Sequence, residues 1–348
     1  MILVTGGAGY IGCVTIRELL NKGEAVRVFD KLFFGEEGLK EVRDKVDLVQ
    51  GDIRQFDEAV LDGIDAVIHL AGLSNDPTAE YNPKANFEMN TVATRVLADA
   101  CKKRGVKRFI FSSTCSIYDL GFYAEDVMKD ETSEVKPRAA YAISNYEAEK
   151  YLIKLADKDF CPVILRQGTV YGFSPRMRYD LVVNTFLKDS LMNGVMTVFC
   201  GGEMWRPLID VSDVAKAYIC CVEAPEDKVR GEIFNINYKN FRILELAHWV
   251  REAFKDEKKV EIEVDYSSFK TRSYRVSSKK IEAVLGFKAA MGVKESVEHM
   301  LKMIYKYNMT DFLNPKYYNI QWMTILDNME QTLKRLGGVF SMPDEPDK

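Results

Sequence analysis

Short apolar runs recur along the first half of the chain, spaced so that a helix fits between one and the next. Ile2-Leu3-Val4, Ala25–Phe29, Ala66-Val67-Ile68, Phe109-Ile110-Phe111 and Val163-Ile164-Leu165 are rich in aliphatic and aromatic residues, as strands buried on both faces of a parallel sheet are. Between them, periodic segments predict helices over Val14–Lys22, Asn90–Arg104 and Tyr141–Lys158. Strand and helix in regular turn imply an α/β fold built on a doubly wound parallel sheet. After about residue 166 the rhythm changes. Arginine, proline and aromatics gather in Arg166–Arg178, Trp205-Arg206-Pro207 and Arg272–Arg275, and Asp311–Lys348 is helical in part before a polar tail at Met342–Pro346.

The junction after the first strand carries the first chemistry. Thr5-Gly6-Gly7-Ala8-Gly9-Tyr10-Ile11-Gly12 leaves a strand and opens a helix, with glycines at GxxGxxG spacing. A dinucleotide site needs a tight turn, a backbone that approaches a pyrophosphate, and a helix N-terminus aimed at it. Asp30 ends the second strand, where a carboxylate accepts from both adenosine ribose hydroxyls and repels a 2′-phosphate, which favours NAD over NADP; Lys31 weakens that exclusion slightly. In Gly51-Asp52-Ile53 the Asp52 side chain stands where it would meet the adenine amino group, and Leu70-Ala71-Gly72 lets backbone pass close to a cofactor. His69 reads as a packed, hydrogen-bonded residue. The predicted organisation is a Rossmann-type domain over residues 1–166 and a smaller C-terminal α/β substrate-binding lobe over 167–348. A segment at about 205–240 of that lobe is expected to return to the first domain.

Composition narrows the class. Of 348 residues, 47% are hydrophobic and 29% charged, and the net charge of −4 gives no reason to expect a nucleic-acid or polybasic membrane surface. Seven cysteines without CxxC spacing and only three histidines argue against a disulfide framework or a zinc site. With Ile2 already in the first strand and no membrane-length apolar run, we expect a soluble, cytoplasmic protein.

Taken in order, Thr5–Gly12, Asp30, Gly51-Asp52-Ile53, His69–Gly72, Asn90, Phe111-Ser112-Ser113-Thr114, Tyr141–Glu149, Arg166 with Tyr171-Gly172, and Trp205–Ala215 resemble the extended short-chain dehydrogenase/reductase family, above all its nucleotide-sugar epimerases and dehydratases. The resemblance runs over most of the chain. It implies NAD as cofactor, held by Gly6, Gly9, Tyr10, Ile11, Gly12, Asp30, Lys31, Asp52, Ile53, Leu70, Ala71, Gly72, Asn90, Ser112, Tyr141 and Asn145. It implies that Thr114 hydrogen-bonds the reacting sugar oxygen and that Tyr141 is the acid/base. It also implies a homodimer paired through the helices at Asn90–Arg104 and Tyr141–Lys158.

The chain departs from the family at one place. The family motif is Tyr-x-x-x-Lys, and Asn145 stands where the lysine belongs. An amide can bond the nicotinamide ribose, but it brings no positive charge to lower the tyrosine pKa. Tyr146 and Lys150 repeat the motif five residues on, rotated by roughly 140° on the helix. Because only one register can face the cofactor, the flanking pattern selects Tyr141 and Asn145 and leaves Tyr146 and Lys150 as a surface pair.

Thr114-Cys115-Ser116-Ile117-Tyr118 has no carboxylate immediately after the threonine, and Asp119 and Glu125 are wrongly spaced. Dehydratases and decarboxylases of the family it resembles carry a carboxylate at or near that point, so the resemblance disfavours dehydration and decarboxylation and leaves oxidation and reduction at a secondary alcohol. The expected function is transient oxidation at the sugar C4 by a nucleotide-sugar epimerase. The alternatives are a 4-ketosugar reductase, a dehydrogenase of a smaller hydroxy substrate, and a catalytically altered nucleotide-sugar-binding protein. Guanidinium groups suit a nucleoside diphosphate, so Arg206 and Arg272 are candidates for it. Arg176 and Arg178 are candidates for the sugar, and Asn184 for the phosphate or base.

Overall fold

The computed structural model describes residues 1–119, 127–267 and 272–337; Glu125 and the Met342–Pro346 tail lie outside the described residues. Seven strands form the main sheet: β1 (Ile2–Thr5), β2 (Val26–Asp30), β3 (Val46–Gln50), β4 (Ala66–His69), β5 (Arg108–Thr114), β6 (Cys161–Gln167) and β7 (Ile233–Ile236). Their order across the sheet is β7-β6-β5-β4-β1-β2-β3, and every pair is parallel. The chain winds outward from β1 in one direction and from β4 in the other. The crevice between those two strand ends is where ligands bind in such sheets.

The apolar runs explain the layering. Leu3, Val67, Phe109 and Ile164 pack into the core on one face of the sheet, while Val4, Ile68, Ile110 and Val163 join the larger core on the other. All eight are fully buried. Apolar side chains fill both faces at the centre of these strands, so they read as short continuous hydrophobic stretches.

The helices that matter for the site are α1 (Tyr10–Asn21), α2 (Asp76–Tyr81), α3 (Ala93–Lys103), α4 (Ala140–Leu155), α5 (Val211–Glu223) and α6 (Asn319–Leu336). α1 begins four residues earlier than its periodicity predicts, because Gly9 supplies the extended N-cap. The predicted Asn90–Arg104 helix enters through a π-helical turn at Glu88–Val92. α4 stops at Leu155, ahead of the predicted Lys158, where the Asp157 carboxylate accepts from the amides of Asp159 and Phe160 and turns the chain into β6.

Glu149 on α4 and Arg166 on β6 form a buried ion pair (2.6 Å) that ties this helix to the sheet, and Arg166 also donates to the Tyr118 hydroxyl. Beyond β6, a three-stranded sheet joins Thr169–Tyr171, Trp205–Asp210 and Lys239–Arg242. A two-stranded sheet pairs Val195–Phe199 with Glu261–Asp265. α5 packs against α1, and β7 completes the edge of the main sheet beside β6. Among the described residues no helix is long and apolar enough to cross a membrane.

Candidate active site

The glycine loop is shaped by close approach. Gly6 has φ +69°, and a Cβ there would lie 2.7 Å from the backbone nitrogen of Ala71. A Cβ on Gly12 would lie 2.5 Å from the Gly6 carbonyl oxygen. Any larger residue would therefore push the loop away from α1 and from the strand end beside it. The Asp30 carboxylate accepts from the amides of Ala8 (2.9 Å) and Leu32 (2.7 Å), which fixes it at the loop's edge with lone pairs to spare. Burial raises its pKa against the pull of those two amides and of Arg176.

This loop is one wall of a cavity of about 620 Å³. Every predicted cofactor residue lines it, and so do Thr114, Arg176, Arg178, Arg206 and Arg272. A glycine cradle that admits no Cβ, a helix N-terminus and a fixed carboxylate are the features a dinucleotide with two ribose hydroxyls requires.

Several of these residues are already engaged. Asp52 is held by Arg54 (2.6 Å) and Lys31 (2.7 Å), cations that keep its carboxyl well below the usual range. Lys31 is thus drawn toward Asp52. Asn90 clamps the loop after β4, accepting from the Leu73 amide (2.8 Å) and donating to the Leu73 carbonyl (2.9 Å). Ser112 accepts from the Tyr218 hydroxyl. His69 is buried between Thr5 (2.6 Å) and Thr94 (2.9 Å), and burial lowers its pKa to about 3, so it is a packed neutral ring as expected.

At the other end of the cavity Thr114 closes β5 and Tyr141 opens α4. Both side chains line the cavity wall, and Thr114 Oγ1 accepts from the Ser116 amide (3.1 Å). Burial pushes the Tyr141 phenol up to about 12; the Asp76 carboxylate adds to this, while Arg178 and Thr114 oppose it. Asn145 lines the same wall and donates its side-chain amide to the Tyr141 carbonyl (2.9 Å). Lys150 pairs with Glu147 and lies over the Tyr146 ring, half-exposed. The register expected from the flanking pattern is the one that faces the cavity.

The arginines divide. Arg206 donates to the Trp205 carbonyl (2.8 Å) and to that of Arg272, and burial lowers its pKa. Arg272 is paired with Asp76 and lies 3.7 Å from Asp119, so part of its charge is already matched. Arg178 is held in a two-point pair by Asp180 (2.8 Å) and is within the field of Tyr141. Arg176 does not belong with the sugar candidates. It stacks on Phe34 (3.7 Å), bonds Asn319 (2.7 Å) and feels Asp30, which places it at the cofactor end. Asn184 is also corrected. It is fully buried off the cavity wall, and its amide is spent on Gly172, Tyr10 and the Arg178 carbonyl.

Two participants escape a reading of the sequence. Asp76, first residue of α2, reaches the cavity beside Tyr141 from the loop after β4. The residues after Thr114 disfavour carboxylate-assisted chemistry, but Asp76 supplies a carboxylate from another segment. Asn75-Asp76-Pro77 is a readable helix start, but nothing local says that it faces Tyr141. The second is α6, whose Asn319, Ile320 and Met323 line the same cavity.

Comparison with known proteins agrees with this geometry. The model of the NAD dependent epimerase/dehydratase family matches residues 2–237. A UDP-glucose 4-epimerase of Lacticaseibacillus casei is 34% identical over 273 residues, covering 72% of this chain and 81% of its own. A UDP-N-acetyl-alpha-D-glucosaminuronate decarboxylase of Bacillus cytotoxicus is 29% identical over 242 residues, covering 67% and 74%. Among solved structures, a UDP-glucose 4-epimerase of Thermotoga maritima with UDP-glucose superimposes with a TM-score of 0.75 at 26% identity, covering 88% of this chain and 98% of that one. The chain belongs to the NAD-dependent epimerase/dehydratase family, and its cofactor is NAD.

Proposed function

We propose that this protein is a nucleotide-sugar epimerase that oxidises its substrate transiently at the sugar C4. The observation that carries the reading is that Thr114 and Tyr141 stand together at the far end of a cavity whose near end is the glycine cradle. NAD, when bound, supplies the hydride acceptor and the positive nicotinamide. Thr114 orients the sugar hydroxyl, and Tyr141 takes its proton and later returns it. Arg206 and Arg272, at the arginine-rich wall, provide cations for a nucleoside diphosphate. The similarity to epimerases of UDP-glucose makes UDP-sugars the first substrates to try. The test is incubation with a nucleotide-sugar panel, reading product stereochemistry by NMR.

A 4-ketosugar reductase uses the same two hydroxyls. A phenol held near pKa 12 stays protonated at neutral pH, the form in which a reductase begins its cycle. A second reading is elimination or decarboxylation, supported by Asp76 beside Tyr141 and by the decarboxylase relative. In each reading the protein pairs as a homodimer through the helices containing Asn90 and Tyr141. Val92, Val96, Ile143 and Ile153 are exposed there.

A further inference from the structure

α6 lies beyond the residues that the family model matches, yet its first two turns line the cofactor cavity. Its first residue, Asn319, is 6% exposed and joins three parts of the wall. The Asn319 amide donates to Ser74 Oγ (2.8 Å), its oxygen accepts from Arg176 (2.7 Å), and its backbone nitrogen donates to Asp180 (3.3 Å). One turn on, the Trp322 indole donates to the Phe33 carbonyl, on the loop after β2. Farther along, Asp327 accepts from the Tyr81 hydroxyl (2.8 Å), at the end of α2 after β4. In the sheet, β2 and β4 flank β1. The helix is thus bonded to the segments beyond both strands that flank β1, whose end carries the glycine loop. Ile320 and Met323, one turn apart, turn inward and line the cavity.

The same helix is lightly held. Asn319 is its one buried residue among those described, while Met329, Leu333 and Leu336 stand exposed. An element fastened by a few hydrogen bonds rather than a core opens at low cost. Arg176, which Asn319 fixes, stacks on Phe34 and has a buried Nε with no hydrogen-bond partner. A buried guanidinium in that state is completed by an anion, and the diphosphate is the anionic part of NAD.

We propose that α6 is a latch over the cofactor, in which Asn319 and Trp322 hold the mouth closed and fix Arg176 toward the dinucleotide diphosphate, so that NAD leaves only when the helix lifts. Retention of NAD through many turnovers is what an epimerase needs, since the hydride taken from the sugar must return to it.

The test is the release rate of NAD from the full-length protein. The protein is loaded with NAD, freed of excess, and diluted into a coupled enzyme that consumes free NAD. Asn319→Ala and Trp322→Phe are each expected to release NAD about tenfold faster, the effect of one buried hydrogen bond. Leu333→Ala, on the outer face, keeps the original rate. Trp322→Phe removes only the indole donor and folds where a harsher change fails, and thermal unfolding of the cofactor-free variants verifies that they fold. Unchanged release in folded variants overturns the latch, and so does wild-type protein that sheds NAD as fast as they do. No sugar is present in the assay, so a failed latch leaves the epimerase reading standing, and missing epimerase activity leaves the latch standing.

Discussion

Asn145 donates its side-chain amide to the carbonyl of Tyr141, one turn back on the same helix (2.9 Å), and so folds along α4. The side chain standing in the lysine position thus brings no charge to the phenol it neighbours. Tyr141 is left with a pKa pushed up to about 12 by burial and by Asp76, with Arg178 as the opposing cation.

The raised phenol pKa imposes a pH dependence whose sign is fixed. It makes the tyrosinate scarcer, so oxidation that needs it speeds up by about tenfold per pH unit below the pKa. Asn145→Lys places a positive charge one turn from Tyr141, lowers that pKa and moves the plateau to lower pH. Single-turnover formation of NADH against pH checks both statements. A profile that Asn145→Lys does not shift would remove the phenol from the rate-determining proton transfer.

Tyr141→Phe is expected to lower turnover by about 10²- to 10⁴-fold, the range for a lost acid/base group. NAD binding, measured by fluorescence quenching, weakens by at most about tenfold, the loss of one hydrogen bond, because the glycine cradle is untouched. Thr114→Val leaves the phenol in place and removes a hydrogen bond to the reacting oxygen, so the loss is smaller, about 10- to 100-fold. Full activity in Tyr141→Phe would assign the proton transfer elsewhere.

Asp76 separates the reaction classes. For an epimerase Asp76→Asn keeps a side chain of the same size, releases Arg272 from its ion pair and removes the carboxylate that raises the Tyr141 pKa. Oxidation at neutral pH is then unchanged or faster. For an eliminating or decarboxylating enzyme that uses Asp76 in proton transfer, the same change lowers turnover by about 10²-fold or more. Steady-state rates of this single variant decide between the two.

Glu149 and Arg166 are each nearly inaccessible to solvent, and both oxygens of Glu149 accept from Arg166. Arg166→Met leaves the carboxylate buried without its partner and should cost about 3–5 kcal/mol in urea unfolding. Changing both residues to apolar ones of similar size should cost less than either single change. A double variant that loses as much as the two single changes summed would rule out coupling between the two.

The parts of this molecule legible in the sequence are those set by local pattern. Strands buried on both faces announce themselves as apolar runs, which is why β1, β4, β5 and β6 stand close to where the residues predict them. The glycine loop is a contiguous signal with a steric cause at Gly6 and Gly12. The Tyr141 register is legible from its flanks. Features that depend on distant contacts are not. Trp322 meets Phe33 across 289 residues, and no periodicity in α6 says which rim it will cross. Asp76 reaches Tyr141 only because the loop after β4 and the start of α4 fold onto one crevice. Asn184 reads as a substrate residue because polar side chains near a binding loop often face it, yet Tyr10, Gly172 and Arg178 consume its amide within the protein.

The central claim is that Thr114 and Tyr141, with retained NAD, oxidise and re-reduce a nucleotide sugar at C4. The direct measurement is NMR of a UDP-sugar panel incubated with the NAD-loaded protein and no added reductant. The account predicts that one sugar is converted to its C4 epimer, with no net NADH and no change in mass. A product that has lost water or carbon dioxide, or net consumption of NADH, would contradict it.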